Sequence, residues 1–431
     1  MKLLSLLCVF FLFIENLKAQ NFTIGNISKT SSEINQLQSK AFDLTTLLPK
    51  NFVINATVDY TEFIQRGLDK YQSVKMPNFP VLVNSKGLKI NSNAEIFFSK
   101  KSSIVIQPNS LSSYAILNIQ GKQNVKIYNA RLVGDRFQHN GNQGEWGMGI
   151  RIMDSRNVVL YNPNIMNCWG DGIYIGDDNQ NSIHNKNIFI LNCSINSNRR
   201  NGITITSGES IYVRGGSISK SDGTMPKAGL DIEPNSNYNV INNINVRNLK
   251  TNNEGAGIII SLGKLSNKAG QVDITVDGHT DNGGSMGLYI PNLNSPSKSI
   301  LGSIVIRNSN YINNKTNGIF IENYSSNNTP KIIISDSKII NSNSSSQKSP
   351  RWGAGISFGR DSRKRVFDKM GNLNIKNITI IENRPSPLMQ AAISFVDDNN
   401  SDFEKVNIEG IKIQGINSSN QFFLKKGVSL K

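Results

Sequence analysis

The chain has 431 residues and a formal net charge of +16, yet only 18% of it is charged and 38% is hydrophobic. That balance excludes both a charge-driven disordered tail and a multi-span membrane protein, and it places the positive excess on a folded surface. Asparagine contributes 60 residues, about one in seven, beside 35 glycines and only 13 prolines, which disfavours a helix-rich globule because Asn and Gly are poor helix formers.

Residues 1–19 read as a secretory signal peptide, with Lys2 ahead of an apolar run from Leu3 to Ile14 and Ala19 before a plausible cut. The run is too short to span a bilayer and no other stretch is as apolar, so the expected product is a secreted protein, extracellular or periplasmic, with no membrane span. Its removal leaves 45 basic against 30 acidic residues, a charge of +15. Residues 20–58 are expected to form an N-terminal extension. YTEFIQRGLDKY, from Tyr60 to Tyr71, is the one convincing amphipathic helix, placed to cap the open end of a stacked repeat.

The repeat itself begins to show beyond that helix. A G-[IL]-x-[IF] segment recurs as GIRI at Gly149, GIYI at Gly172, GITI at Gly202, GLDI at Gly229, GIII at Gly257, GLYI at Gly287, GIFI at Gly318 and GISF at Gly355, with a weaker AISF at Ala392. The intervals run from 23 to 37 residues, and each holds further short alternating segments bounded by Asn, Gly or Ser. Two or three strands per unit of this length predict the coils of a solenoid. The expected fold is all-β, a single right-handed parallel β-helix over residues 59–420 with a short N-terminal capping helix and a tail at 421–431. Asparagine fits its turns, where it tolerates left-handed backbone and can stack its amide on the next coil's amide. Cys168 and Cys193, in MNCWG and LNCSI, fall at similar places in neighbouring repeats and are read as core residues rather than a bridge.

Strand alternation places both Ile of G-I-x-I inside and x outside. One outward column then reads Arg151, Tyr174, Thr204, Asp231, Ile259, Tyr289, Phe320, Ser357, and the next Met153, Gly176, Thr206, Glu233, Ser261, Pro291, Glu322, Gly359. Its charge lies upstream, which puts a site between about residues 130 and 235. All three tryptophans, Trp146, Trp169 and Trp352, share one slot before the strand, and Arg199, Arg200 and Lys227 stand at the slots beside Asp231 and Glu233. Cations beside carboxylates suit an acidic polysaccharide, since removal of a uronate C5 proton requires that the sugar carboxylate be neutralised. Asp177, Arg200, Lys227, Asp231 and Glu233 are therefore the catalytic candidates. His139, Trp146, Arg151, Trp169, Tyr174 and Arg199 are the substrate-binding candidates, and Asp171 and Asp178 the candidates for a Ca²⁺. Asp171 shares the parity of the inward Ile173 and so has bonding of turn amides as its alternative role, and His184 and His279 have no charged company in the sequence. The strongly basic stretch at 344–369 is read as a solvated loop. No nucleic-acid motif accompanies the charge.

VGDRFQHNGNQGEWGMGIRI, WGDGIYIGDD and NRRNGITITSGE followed by GTMPKAGLDIEPN resemble bacterial β-helix proteins of the pectin-lyase-like superfamily. That resemblance implies a carbohydrate-active enzyme, or a tailspike or adhesin. A weaker likeness joins Asp171, Gly172, Asn198, Arg200 and Gly202 to mannuronan C5-epimerase motifs, and Asp177 with Asp178 matches the D-D of polygalacturonases. Taken with the residues, the expectation is a polysaccharide lyase on a uronic-acid glycan, with a glycoside hydrolase, a C5-epimerase or a non-catalytic glycan-binding protein as alternatives.

Overall fold

The computed structural model describes residues 29–178, 184–253, 255–266, 270–293, 299–360, 369–396, 403–424 and 428–430. The leader expected at 1–19 lies outside them, as does 361–368 of the basic stretch. Among the described residues no helix is long and apolar enough to cross a membrane.

The G-I-x-I segments stack in register into one parallel sheet of twelve strands, from Leu88–Lys89 to Phe422–Phe423. Ile150, Ile173, Ile203, Leu230, Ile258, Leu288, Ile319 and Ile356 align one above the next, and each is fully buried. The remaining strands form two further parallel ladders, joined where the long strands Lys186–Asn196 and Gly208–Ser219 turn a corner without breaking. Ile and Val from all three ladders fill one continuous core, and β-branched side chains suit such a doubly constrained stack. The parallel solenoid exceeds the expected bounds at both ends. Phe42–Asp43 already pairs with Ser73–Lys75, and Val428–Leu430 still pairs with Phe403–Glu409, so part of the expected extension and tail belongs to the stack.

Asparagine occupies the corners as expected. Asn93, Asn124, Asn157 and Asn187 all have φ between 56° and 64°. Their amides form a ladder, Asn124 Nδ2 donating to Asn93 Oδ1 at 3.0 Å, Asn157 to Asn124 at 2.9 Å and Asn187 to Asn157 at 3.0 Å. Left-handed backbone is costly for residues with a Cβ, and the short polar side chain of Asn offsets that cost locally.

Two helices cover what the stack leaves open. Helix α1 (Ser31–Ser39) was not expected, although Thr30 and Glu33 form a capping box that is legible in TSSE. Its Ile34 and Leu37 lie over an outward stack of Phe97, Tyr128 and Tyr161, whose rings sit 4.6 Å apart. Helix α2 (Thr61–Lys70) is the expected amphipathic one, and it buries Ile64 and Leu68 in the N-terminal end of the core. Cys168 and Cys193 are free and buried.

Candidate functional site

The outward columns are not open along their whole length. Thr204, Asp231, Ile259, Phe320 and Ser357 are buried, and Arg351 with Trp352 lies over Phe320. Arg351, read as part of a solvated basic loop, is instead buried in an ion pair with Glu322 at 2.6 Å. The open part of this face is upstream, at Asn118, Arg151 and Tyr174.

Of Arg200, Lys227, Asp231 and Glu233, which the sequence placed side by side, all but Lys227 come together. The Arg200 guanidinium reaches Asp171 at 3.3 Å and Glu233 at 3.4 Å, with Glu145 at 3.8 Å, and Asp231 is close enough to add to its field. Burial opposes the charge on Arg200, but these four carboxylates together raise its pKa. Burial also raises Asp171, against the lowering effect of Arg200. Asp231 is pushed well above the usual carboxylate range by burial first and by Glu233 second. Its Oδ2 accepts from Asn201 Nδ2 at 3.1 Å, and its Oδ1 is buried without a partner.

This cluster corrects several expectations. Asp231 has no exposed surface and cannot touch a ligand. Lys227 turns away to pair with Asp222 at 2.9 Å, because its left-handed backbone directs it into the 219–227 loop. Asp171, by contrast, bonds a backbone amide as its inward parity allows: its Oδ1 accepts from the Asn201 N–H at 2.9 Å, and the carboxylate also meets Arg200 at 3.3 Å. Asp171 and Asp178 flank the strand Ile173–Gly176, so they do not share a cation. Among the described residues no group of three or more His, Cys, Asp or Glu is placed to hold a metal ion.

A second cluster is a layered stack. Tyr114, His139, Trp169 and Arg199 lie face to face, with His139 to Trp169 at 4.0 Å and the Arg199 guanidinium 3.8 Å above Trp169. Asp135 accepts from the Tyr114 hydroxyl and faces His139 Nδ1 at 2.9 Å. His139 and Trp169 are thus sealed within the stack and cannot face a sugar, and Arg199 is committed to Trp169 and to the Gly144 carbonyl at 2.8 Å. Trp146 alone of the upstream tryptophans is exposed, at 49%.

The third cluster joins the expected Arg151, Tyr174 and Asp177 to His184, which the sequence left without company. Arg151 and Tyr174 are partners on adjacent strands of the open face. Arg151 Nε donates to Asn118 Oδ1 at 3.0 Å, which leaves its two terminal nitrogens available. Tyr174 lies along its strand over Gly176, where any Cβ would come within 2.7 Å of the ring. Its hydroxyl meets Thr206 Oγ1 at 3.2 Å and accepts from Asn235 Nδ2 at 3.2 Å, and burial keeps it protonated by raising its pKa. Beyond Gly176, His184 Nδ1 donates to Asp177 Oδ2 at 2.9 Å. Asp177 is buried, and its other oxygen accepts from Asn239 Nδ2 at 2.8 Å. One turn serves both groups, since Asn239 Oδ1 also holds the backbone N–H of Asn235. His184, 28% exposed, therefore presents its other nitrogen from an imidazole fixed by a carboxylate. His184 lies seven positions after Asp177, a spacing that no local motif marks.

A model of the "Right handed beta helix region" matches residues 81–244. The fold is a right-handed parallel β-helix. It is the fold of the pectin-lyase-like superfamily that the sequence resembles. Among solved structures, the β-helix is similar to the A-module of the Azotobacter vinelandii mannuronan C-5 epimerase AlgE4, with a TM-score of 0.64 at 12% identity over 90% of this chain and 100% of that one. It is also similar to a Thermotoga maritima exopolygalacturonase, with a TM-score of 0.54 at 12% identity over 94% and 95% of the two chains. The curated relatives carry no stated activity. The uncharacterized protein YclG of Bacillus subtilis (strain 168) is 29% identical over 57% of this chain and 44% of its own length. The prophage-derived uncharacterized protein YorA of the same strain is 29% identical over 34% and 28%. Both matches span less than half of the relative.

Proposed function

We propose that this β-helix acts on a uronic-acid polysaccharide laid across Asn118, Arg151 and Tyr174, and that it abstracts the C5 proton of a bound uronate. The observation that carries this reading is a guanidinium beside a protonated phenol on the open face, the phenol being linked through Asn235, Asn239 and the buried Asp177 to the His184 imidazole. Each meets one demand of the reaction. Arg151 pairs with the sugar carboxylate and offsets the charge that grows on it as C5 loses its proton. His184 takes that proton on the nitrogen turned away from Asp177. Tyr174 gives its proton to O4 as the C4–O4 bond breaks and the C5 electron pair becomes the C4=C5 double bond. The product then carries an unsaturated uronate, the outcome of a lyase. The names of two structural neighbours, a mannuronan epimerase and a polygalacturonase, support a uronate as substrate.

Purified protein incubated with alginate, pectate and glycosaminoglycans should yield ultraviolet absorbance from unsaturated uronate. Tyr174→Phe and His184→Gln should each lower the rate by about 10²–10⁴-fold, the usual span for one acid or base. New reducing ends without absorbance would overturn elimination in favour of hydrolysis. Inverted C5 without chain cleavage would mean epimerisation through the same first step. Full activity in both variants would remove these residues from the site.

A further inference from the structure

The open face does not run on past its first strand. Leu88–Lys89 is the terminal strand of the twelve, and helix α2 stands across it, fastened by Gln65, whose amide donates to the Lys89 carbonyl at 3.0 Å and accepts from the Lys89 N–H at 2.8 Å. Between helix and sheet lies a cleft of about 780 Å³, with Glu62, Gln65 and Asp69 on the helix side and Lys89, Asn118 and Lys122 on the sheet side.

The cleft is continuous with the proposed site, because Lys89 pairs with Asn118 and Asn118 with Arg151 on successive strands. Its charges are divided in a useful way. Lys86 is matched by Glu62 at 3.2 Å, whereas among the described residues Lys89 has no acidic partner and Lys122 has only the Asn91 amide oxygen at 3.4 Å. Two unmatched ammonium groups stand where sugar carboxylates would lie, and the helix supplies carboxylate and amide oxygens able to accept from sugar hydroxyls. From Lys89 to Tyr174 there are three strand spacings, about 14 Å, or roughly three pyranose units at one unit per spacing.

Resting on the reading above, we propose that this cleft is a chain-end site: it holds the terminal sugars of an anionic glycan against α2, so that the protein releases short oligosaccharides of about two or three units from one end rather than cutting internally. Lys89 and Lys122 bind the carboxylates of those end sugars.

Two measurements test this separately from the chemistry. Wild-type protein and a Lys89→Gln/Lys122→Gln variant are titrated calorimetrically with tri-uronates of mannuronate, guluronate and galacturonate. Binding at least tenfold weaker in the variant is expected for whichever trimer the wild type takes. Equal affinity in the two proteins, or no binding of any trimer by the wild type, would overturn the chain-end site whether or not the protein cleaves. Products are then sized from the first minutes of digestion of the polymer found to be cut. One short species from the outset is expected, with a slow fall in polymer size, while an early collapse to a broad distribution would overturn it. A protein that binds trimers through the two lysines but gives no unsaturated product would retain the chain-end site and lose the elimination.

Discussion

At the scale of single residues, the unusual feature is how many ionisable groups the solenoid encloses. Asp281 accepts from Thr251 Oγ1, Asn314 Nδ2 and the Gly284 N–H, yet burial outweighs these bonds and pushes it up to about 7. The folded chain then keeps a proton that the unfolded chain sheds above 3.8, so the stability tied to Asp281 is complete below pH 4 and falls as pH rises towards 7. His279, beside the same Thr251 hydroxyl, has the opposite slope. Burial pushes it down to about 3, so the unfolded chain binds a proton below 6.5 that the folded chain refuses, and stability falls as pH drops below 6.5. Between about pH 4 and 6.5 the two slopes cancel. Asp281→Asn should therefore uncover the His279 term, so that its denaturation midpoint drops from pH 6.5 to pH 4.5 by more than the wild-type midpoint does. Parallel profiles would show that the two groups are not enclosed as described.

The Arg200 cluster makes a second prediction at this scale. Asp171 is buried against Arg200, so Arg200→Ala leaves a carboxylate without its cation and should cost about 3–5 kcal/mol, read from chemical denaturation. Asp231→Asn should cost less, since burial disfavours the charged form of that side chain. A large loss for Asp231→Asn with none for Arg200→Ala would reverse the roles assigned to them.

At the scale of the element, the corner asparagines do two jobs that substitution can separate. Asn157 has φ 56° and joins the ladder twice, through Asn124 and Asn187. Asn157→Gly keeps the backbone and loses the amide bonds, at about 1 kcal/mol; Asn157→Ala loses the bonds and also strains the backbone, for about 2–3 kcal/mol in all. Equal thermal shifts for the two variants would mean that the ladder, and not the left-handed turn, accounts for asparagine here. The strands themselves were readable because alternation and glycine spacing are local signals. Helix α1 was missed because its cue, Thr30 to Glu33, is four residues long and lies outside the repeat.

At the scale of the whole molecule, periodicity announced the architecture, and the outward columns came from it to the residue. Accessibility did not. Alternation says that Asp231 points out of the core, but only the surrounding loops decide whether it then meets water, and here they enclose it. Orientation beyond the strands was equally hidden: Lys227 turned on the local backbone at 219–227. The pairing of His184 with Asp177, seven positions apart, followed no sequence pattern. What sequence reading located was the stretch of coils; the choice among their side chains required the fold.

The intervals between successive G-I-x-I segments vary from 23 to 37 residues, yet their strands stay in register throughout. Added length is absorbed at the corners, whereas a single residue gained within a strand would turn its interior outward. Such a chain can change its rim without retuning its interior. Lineages carrying this scaffold should therefore diverge mainly by loop insertion and deletion around a constant ladder, and the specificity of the groove can drift while the stack beneath it is held fixed.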